Sequence, residues 1–367
     1  PLLVMWAISL VVLVAEKDLG SSLLFFGVFL VMLYAATGRP GYVLVGAGLF
    51  SVGAAGAYLA FGHVQQRIEI WLDPFADAAG RGYQLAQSLF ALAAGRVLGV
   101  GIGHGLPGRI PFVETDFIFT AIAEELGLLG GAALIIAYLA FSLRGLATAS
   151  RARSDVAALV ATGLVATFGL QTFVIIGGVT RLIPLTGITL PFVSYGGSSI
   201  LSNFILLGLL MRAGDTGTGS ETEVVVSGGG GLLGRLALTR RLTRVAWLMV
   251  ALMVALTANL TYLQAVAADS LTANPANTRG LAAEMRQERG AIISADGVVL
   301  ASSAKSGSVY VRQYPQGALA AHVLGYYSTR YGRAGVEAAA NEALAGKRNF
   351  ASFADMIEAA AGTSVPG

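Results

Sequence analysis

Acidic side chains at the start of a long apolar stretch are the residues of this chain best suited to chemistry. Asp116, Glu124 and Glu125 lie within the segment Glu114–Gly127. A carboxylate that enters a membrane is costly unless it is paired or used, so it indicates a functional site. On a helix, Asp116, Thr120 and Glu124 would share one face, and Glu125 would point about 100° away from Glu124.

The chemistry available to Asp116 is general base catalysis. A carboxylate at the outer end of a membrane helix can take a proton from an attacking hydroxyl, which typically contributes about 10²–10⁴-fold to a rate. The alternative role for Asp116 is to cap the helix start and complement its dipole. Glu124 and Glu125 either pack against an arginine or the Thr120 hydroxyl, or shape the site and contact a metal ion.

Cationic and hydroxyl side chains supply candidates for binding an anionic substrate. Arg67, Arg81 and Arg109 lie in one long loop. Loop arginines also bind lipid headgroups or surface carboxylates, so each has a second interpretation. Ser194 and Ser198 lie at a predicted helix start, where free amide groups favour an anion. The glycine pair between them equally suits close packing.

Membrane helices must position these residues, because the composition is that of an integral membrane protein. Apolar residues make up 55% of the chain and charged residues 12%, with a mean hydropathy of +0.70. These values lie well beyond a soluble globular domain. The 48 glycines suit closely packed membrane helices. The absence of cysteine excludes a disulfide, a thiolate metal site and a cysteine nucleophile.

Hydropathy predicts six membrane-spanning helices after a partial one at residues 1–15. They fall at residues 19–36, 41–62, 117–143, 156–180, 190–211 and 245–267. By the positive-inside rule the cytoplasmic loops are marked by Arg39, Arg144, Arg151, Arg153, Arg212, Arg235, Arg240, Arg241 and Arg244. The outer side then holds residues 63–116, residues 181–189 and everything after about 268. Residues 63–116 are called the outer loop below. The chain shows no cleavable signal peptide and begins inside an apolar run, so we expect it to be truncated at the N-terminus.

Composition divides the chain into four parts. They are a membrane domain, a Gly/Ser/Thr-rich cytoplasmic linker, a transmembrane anchor and an outer-side segment, at residues 1–212, 213–240, 241–268 and 269–367. Strand-forming residues around Asp296-Gly297 predict a hairpin, and the alanine-rich residues 335–344 predict a helix. The predicted fold class is an all-α polytopic membrane bundle with a C-terminal single membrane helix and a small α/β outer-side segment.

The outer loop contains two further patterns. Leu85, Leu89 and Leu92 fit an amphipathic helix that either lies on the bilayer or caps the bundle. The glycine run from Gly99 to Gly105 follows no βαβ strand, so we interpret it as a flexible turn rather than a phosphate-binding loop. No nucleic-acid partner is expected.

Five motifs occur in order along the first 212 residues. They are Asp18-Leu19-Gly20-Ser21; Arg67 with Leu72-Asp73-Pro74; Gly82-Tyr83-Gln84 with Gln87-Ser88-Leu89; Thr115-Asp116-Phe117-Ile118-Phe119 with Glu124-Glu125-Leu126-Gly127; and Pro184-Leu185-Thr186-Gly187 with the run from Leu190 to Ser199. Together they resemble the SEDS family (RodA, FtsW, SpoVE). The resemblance implies a partial form of a membrane glycosyltransferase of about ten helices, with roughly the first four missing.

What the resemblance implies for function is polymerisation of lipid II into peptidoglycan glycan strands. An acceptor sugar hydroxyl must lose its proton as it attacks the anomeric carbon of the donor, and a leaving pyrophosphate must be held. Asp116 is then the essential aspartate and Arg67 a pyrophosphate contact. A divalent cation, Mg²⁺ or Mn²⁺, assisting the pyrophosphate is also implied by resemblance, although no ligand spacing indicates it.

The last part of the chain is similar to a different family. Arg289-Gly290-Ala291-Ile292, Gly325-Tyr326-Tyr327, Gly335-Val336-Glu337 and Leu344-Ala345-Gly346 resemble the pedestal of a class B penicillin-binding protein, in an actinobacterial PbpA-like version. The preceding membrane helix resembles its anchor. Ser302-Ser303-Ala304-Lys305 fits the S-x-x-K pattern, but no S-D-N-like or K-T-G element follows, so no transpeptidase domain is expected in this chain.

Three functions remain open from the sequence. The first is a lipid II polymerase of the bacterial cytoplasmic membrane, coupled to a class B penicillin-binding protein within an elongation or division complex. The second is a lipid II flippase, which should carry polar residues through the membrane midplane. The third is a non-catalytic scaffold for the penicillin-binding partner.

Overall fold

Long apolar helices form the first of two units in the computed structural model, which describes residues 19–152, 154–214, 232–285, 287–307, 309–328 and 332–345. The units are Pro1–Ala273 and Asn274–Gly367. The membrane helices of the first unit are α1 (Leu19–Thr37), α2 (Pro40–Ala60), α6 (Gly127–Arg151), α7 (Asp155–Val179), α8 (Gly197–Gly214) and α9 (Leu232–Thr261). The shorter helices are α3 (Gly62–Leu72), α4 (Tyr83–Gly95), a 3₁₀ turn (Pro107–Arg109), α5 (Ile118–Glu125), a π-helical turn (Tyr262–Val266) and α10 (Ala268–Thr272).

Helix α7 is the centre of the membrane bundle. Ser154 caps its start by accepting a hydrogen bond from the Ala157 amide at 3.1 Å. It packs against α1, α6 and α9, and α9 also packs against α6. Small residues permit this approach: a Cβ on Gly169 would lie 2.7 Å from the sulfur of Met249 in α9, and one on Gly131 in α6 would lie 2.7 Å from Leu260.

The six predicted spans within the described residues are confirmed in number, since the structure has six helices that are long and apolar enough to cross a membrane. Three spans begin well away from the predicted residue, and the third also ends later, at Arg151. The third span begins at Gly127, because the helix is interrupted there. Gly127 has a φ of +68°, a conformation that glycine tolerates. The fifth begins at Gly197, because the residues before it form a loop. The sixth begins at Ala237, because α9 extends into the predicted linker.

The rest of the linker, residues 215–231, lies outside the described residues, as does the partial first span at 1–15. Helix α4 contains Leu85, Leu89 and Leu92, and all three are buried. This burial excludes a helix lying on the bilayer surface and agrees with one that caps the bundle.

Short strands and helices make up the second unit. Strands β1 (Ile292–Ile293), β2 (Val299–Ser306) and β3 (Val309–Gln313) form an antiparallel sheet in that order, and β4 (Tyr327–Ser328) pairs with β5 (Gly332–Arg333). The helices are α11 (Arg279–Glu284), α12 (Ala321–Leu324), α13 (Val336–Ala339) and α14 (Asn341–Leu344). The hairpin predicted at Asp296-Gly297 is confirmed, while the alanine-rich helix is split in two at Ala340.

A buried ion network holds the second unit together. Glu337 is fully buried, and its two oxygens accept hydrogen bonds from Arg289 Nε at 2.8 Å and Arg312 Nε at 2.7 Å. Arg289 also lies 4.4 Å above the ring of Tyr327. Ser302 and Lys305 both lie on β2, where an odd spacing points them to opposite faces. The S-x-x-K pattern therefore does not open a helix in this unit.

These two units confirm the predicted fold class, an all-α polytopic bundle followed by a single membrane helix and a small α/β segment.

Candidate functional site

Helix α3 is hydrogen-bonded to the loop between α7 and α8. Arg67 Nη1 donates to the carbonyl oxygens of Leu185 at 3.1 Å and Thr186 at 3.2 Å. Trp71 Nε1 donates to the Arg181 carbonyl at 3.1 Å, and Arg181 Nε donates back to the Trp71 carbonyl at 2.8 Å. These reciprocal bonds fix Arg67 at the end of the bundle where the outer loop lies.

A second connection joins the loop of Asp116 to the start of α8. The buried Ser194 hydroxyl donates to the Thr115 carbonyl and accepts from the Leu190 amide at 2.8 Å. The Tyr195 amide donates to the Glu114 carbonyl at 2.8 Å. Ser194 therefore positions the Asp116 loop rather than offering its hydroxyl to an anion, which differs from its predicted role.

Asp116 itself is partly buried and lies in a turn before α5. Helix α5 begins at Ile118 with Phe117 at its N-cap, and within the described residues no side chain caps it. The helix cap interpretation and the predicted helix face shared with Thr120 and Glu124 are therefore wrong for Asp116. Burial raises the pKa of Asp116 above its ordinary value, while the Thr115 hydroxyl and the positive charge of Arg67 act to lower the pKa.

Strained backbone surrounds this turn. Phe112, whose carbonyl accepts from the Asp116 amide at 3.0 Å, has a φ of +56°. Phe192 and Arg181 have φ values of +61° and +59°. Such left-handed conformations cost about 1–3 kcal/mol each in residues other than glycine, and they persist where the surroundings impose them. Their grouping in the two loops that meet at Asp116 supports a functional site.

Thr120 and Glu124 do share a face of α5, and both side chains are buried. The Thr120 hydroxyl lies 2.8 Å from that of Ser88 on α4, which donates to the Val179 carbonyl at 2.9 Å. Glu124 Oε1 accepts from the Leu106 amide at 3.0 Å. Glu124 thus contacts a backbone amide, and the arginine or Thr120 partner of the packing interpretation stays a prediction. Thr120 instead contacts Ser88, whose role sequence reasoning missed.

The glycine run is an ordered turn against the break between α5 and α6. The Val100 amide donates to the Glu124 carbonyl and the Gly101 amide to that of Glu125, both at 3.0 Å. Gly99 has a φ of +82°, and a Cβ there would lie 2.1 Å from the Glu125 carbonyl oxygen. The run therefore forms a turn, as predicted, and its backbone packs closely against the end of α5.

The other predicted site residues are exposed or partly exposed. Arg81 is exposed and pairs with Glu69 at 3.7 Å and Asp77 at 3.5 Å, as its second interpretation predicts. Arg109 lies in the 3₁₀ turn, partly exposed. Ser198 is exposed in the first turn of α8.

An apolar cavity of about 1260 Å³ opens beside Arg67. It is lined by α1, α2, α3, α7 and α9, with Arg67 and Thr186 among its lining residues. No pattern in the sequence indicates this cavity. Among the described residues, no group of three or more His, Asp or Glu side chains could hold a metal ion.

Comparison with known proteins shows the family to which the chain belongs. Residues 1–217 match the family model for FtsW, RodA and SpoVE, described as a cell cycle protein. The chain belongs to the FtsW/RodA/SpoVE family. Residues 289–367 match a penicillin binding protein A dimerisation domain. Both resemblances predicted from the sequence are thereby confirmed.

Several relatives share this membrane region. Peptidoglycan glycosyltransferase RodA of Mycobacterium tuberculosis is 51% identical over 212 residues, covering 58% of this chain and 45% of that protein. RodA of Mycobacterium leprae is 49% identical, covering 58% and 46%. Stage V sporulation protein E of Bacillus subtilis is 35% identical, covering 56% of each. The chain spans about half the length of the curated relatives it matches.

A solved structure is also similar, described as "Structural coordination of polymerization and crosslinking by a peptidoglycan synthase complex". It is 27% identical with a TM-score of 0.47, covering 57% of this chain and 59% of that one.

Proposed function

We propose that this protein is a peptidoglycan glycosyltransferase that polymerises lipid II at the outer face of the bacterial cytoplasmic membrane. The observation that carries the proposal is a partly buried carboxylate, Asp116, held near a fixed guanidinium, Arg67, beside a large apolar cavity. Relatives that share this region are named peptidoglycan glycosyltransferases. A base, an anion-binding cation and an apolar cavity match the three parts of the reaction.

Asp116 serves as the general base. The acceptor sugar hydroxyl transfers its proton to the carboxylate as its oxygen bonds to the anomeric carbon of the donor, and the bond from that carbon to the pyrophosphate oxygen breaks. Burial raises the pKa of Asp116, which makes its ionised form a stronger base than an exposed aspartate. The hydrogen bonds of Ser194 join the loop before α8 to the loop of Asp116, and so hold the carboxylate in place for this transfer.

Arg67 binds the pyrophosphate. In the part of the chain that the structure describes, its hydrogen bonds to carbonyl groups use Nη1. A guanidinium carries five N–H donors, so further donors remain for phosphate oxygens. The two carbonyl groups that bind Nη1 also fix the orientation of the planar guanidinium, and with it the other two nitrogen atoms. Arg81 and Arg109 are retained as weaker candidates for anion binding, with Ser198 at the start of α8.

The apolar cavity receives the isoprenoid chain of the substrate. A lipid-linked precursor has a pyrophosphate directly joined to a long hydrocarbon, so its site must place a cation next to apolar surface. Arg67 lines the cavity together with side chains such as Phe26, Leu30 and Phe50. The hydrocarbon moves there from equally apolar lipid, so the cavity orients the substrate and adds little hydrophobic free energy.

Mg²⁺ or Mn²⁺ remains a prediction. Mg²⁺ is commonly held by one or two carboxylates together with substrate phosphates rather than by a preformed protein cage. Asp116, with pyrophosphate oxygens nearby, could supply such a carboxylate. When bound, the cation would neutralise charge on the leaving pyrophosphate. A cation held on Asp116 would lower the basicity of this carboxylate, so the proposed proton transfer uses Asp116 without a bound cation.

The partner proposed for this activity is a class B penicillin-binding protein within an elongation or division complex. The match of residues 289–367 to a penicillin binding protein A dimerisation domain supports this partner. In this chain the pedestal and its anchor follow the membrane domain in one polypeptide. The polymerase would then be joined to the protein that cross-links its product.

The proposal is tested with Asp116→Asn in the complete parent protein, reconstituted with lipid II. The substitution keeps the size of the side chain and removes its basic oxygen, so polymer should fall by at least about 10²-fold while folding is retained. Asp77→Asn is the matched control, because Asp77 is an exposed aspartate of the same loop. Equal polymer from wild type and Asp116→Asn would remove Asp116 from the mechanism. Lipid translocation without polymer from wild type would instead support the flippase, and neither activity would support the scaffold.

A further inference from the structure

The π-helical turn after α9 inserts one amide side chain between two helices of the site. Gln264 is 1% exposed. Its Nε2 donates to the carbonyl of Leu92 on α4 at 3.1 Å and to that of Ala123 on α5 at 2.7 Å. π-helical turns are rare and often occur at functional sites. The side chain thus connects the anchor to both helices.

The two carbonyl groups that Gln264 binds lie at helix ends. Helix α4 ends at Gly95 and α5 ends at Glu125. The last four carbonyl groups of a helix have no partner within it, and those of Leu92 and Ala123 are among these four. An amide NH₂ has two donors and can satisfy both. Gln264 therefore caps α4 and α5 at the same time.

Close packing around Gln264 fixes this arrangement. A Cβ on Gly95 would lie 2.2 Å from the Ala123 carbonyl oxygen and 2.8 Å from Gln264 Nε2. Gln264 Oε1 is buried without a hydrogen-bond partner among the described residues. A flipped amide would point this oxygen at two carbonyl oxygens, so the observed orientation is the one that the surroundings require.

The capped pair of helices carries the candidate site. Helix α5 follows Asp116 by two residues, and its Thr120 contacts Ser88 on α4. Helices α4 and α5 are thus connected twice, by the contact between the Ser88 and Thr120 hydroxyls and by Gln264 at their C-terminal ends. With about 1.5 Å of rise per residue, α5 is a short rigid rod, so movement at its end is transmitted to the Asp116 turn.

We propose that Gln264 is a positioning residue through which the docked anchor fixes the geometry of the Asp116 site. Gln264 lies outside both family matches, at residues 1–217 and 289–367, so neither assigns it a role. The inference rests on the proposed glycosyltransferase function for its catalytic consequence. The structural step, that Gln264 holds α4 and α5 together, stands independently of that function.

The test compares three substitutions of Gln264 in the complete parent protein. Gln264→Met keeps the length without donors, Gln264→Glu offers only acceptors, and Gln264→Lys retains donors. The matched control is Asn259→Leu, which removes another anchor hydrogen bond, from Asn259 Nδ2 to the carbonyl of Thr180 at the end of α7, at 2.9 Å. Backbone hydrogen exchange and lipid II polymerisation are measured on each.

We expect amide exchange at residues 118–126 to accelerate about tenfold or more in Gln264→Met and Gln264→Glu. Exchange in α9 should stay unchanged, which shows that the anchor remains docked. The value of kcat should fall about tenfold or more with KM nearly constant, because Arg67 and the cavity are untouched. Gln264→Lys should restore part of both properties.

Wild-type exchange at residues 118–126 in Gln264→Met and Gln264→Glu would overturn the inference, as would an equal loss of kcat in Asn259→Leu. Faster exchange with unchanged kcat would overturn the link from Gln264 to the site. A wild-type protein that makes no polymer would refute the proposed function, and the exchange measurement would still decide whether Gln264 holds the two helices together.

Discussion

Ser194→Ala should damage catalysis although Ser194 does not contact substrate in the proposed mechanism. The substitution removes one hydroxyl that links the Leu190 amide to the Thr115 carbonyl. A buried polar group left without a partner costs about 1–3 kcal/mol. Leu190 is buried, so its amide bears this cost, while Thr115 is partly exposed and can recruit water. With the lost hydrogen bond included, the local cost is about 2–4 kcal/mol, and it falls on the loops that hold Asp116.

The assay is initial polymerisation rate over a range of lipid II concentrations. A misplacement of about 1 Å can cost about 10²-fold, so kcat should fall by about 10–100-fold while KM changes little. Ser202→Ala is the control, because this exposed serine of α8 donates to a carbonyl of its own helix, that of Ser198, at 2.8 Å. If Ser194 bound substrate directly, KM would rise instead. A wild-type kcat in Ser194→Ala, or an equal loss in Ser202→Ala, would refute the positioning role.

Three other measurements test the remaining conclusions. Burial raises the pKa of Asp116, so the folded protein holds this proton more tightly than the unfolded chain does. As pH rises above the ordinary aspartate pKa of about 4 and through the raised pKa of the folded protein, the polymerisation rate should increase, while the melting temperature relative to that of Asp116→Asn should fall. Glu337→Gln should destabilise the second unit by about 3–5 kcal/mol by leaving two buried arginines unpaired, and hydrogen exchange in β2 and β3 should show it, with the exposed Glu342→Gln as control. A cysteine at Ala78 should react with an impermeant thiol reagent in intact cells and one at Ser150 should not; the reverse would overturn the predicted orientation.

Features set by local composition could be predicted from the sequence. Six spans followed from continuous apolar runs, and the hairpin at Asp296-Gly297 followed from a turn that needs positive φ. The break at Gly127 could not be predicted from hydropathy, because a single glycine leaves the apolar run unchanged. It depends on tertiary contacts, since the backbone of the glycine run must approach Glu124 and Glu125.

The candidate site was predicted by residue type and not by geometry. Asp116 was recognised because a carboxylate that enters a membrane is costly unless it is used, and Arg67 because it matches a position of the SEDS resemblance. The contacts that place Arg67 join residues more than a hundred positions apart, and those of Ser194 also cross between loops. No periodicity encodes such contacts. The cavity beside Arg67 is a gap between helices, and so it has no sequence pattern of its own.

The packing of α9 on α6 and α7 within one polypeptide has a consequence for how the anchor stays bound. Residues 215–231 connect α8 to α9, so association of the anchor with the bundle is intramolecular. Two partners joined by a short covalent connection have an effective concentration on the order of millimolar, whatever the amount of protein in the membrane. A substitution that weakens the helix contact about tenfold would separate two independent chains at low abundance, yet would leave most anchors docked in this protein. Because the two partners are one polypeptide, substitutions at the interface dissociate the anchor less readily, and the stoichiometry is one anchor per bundle.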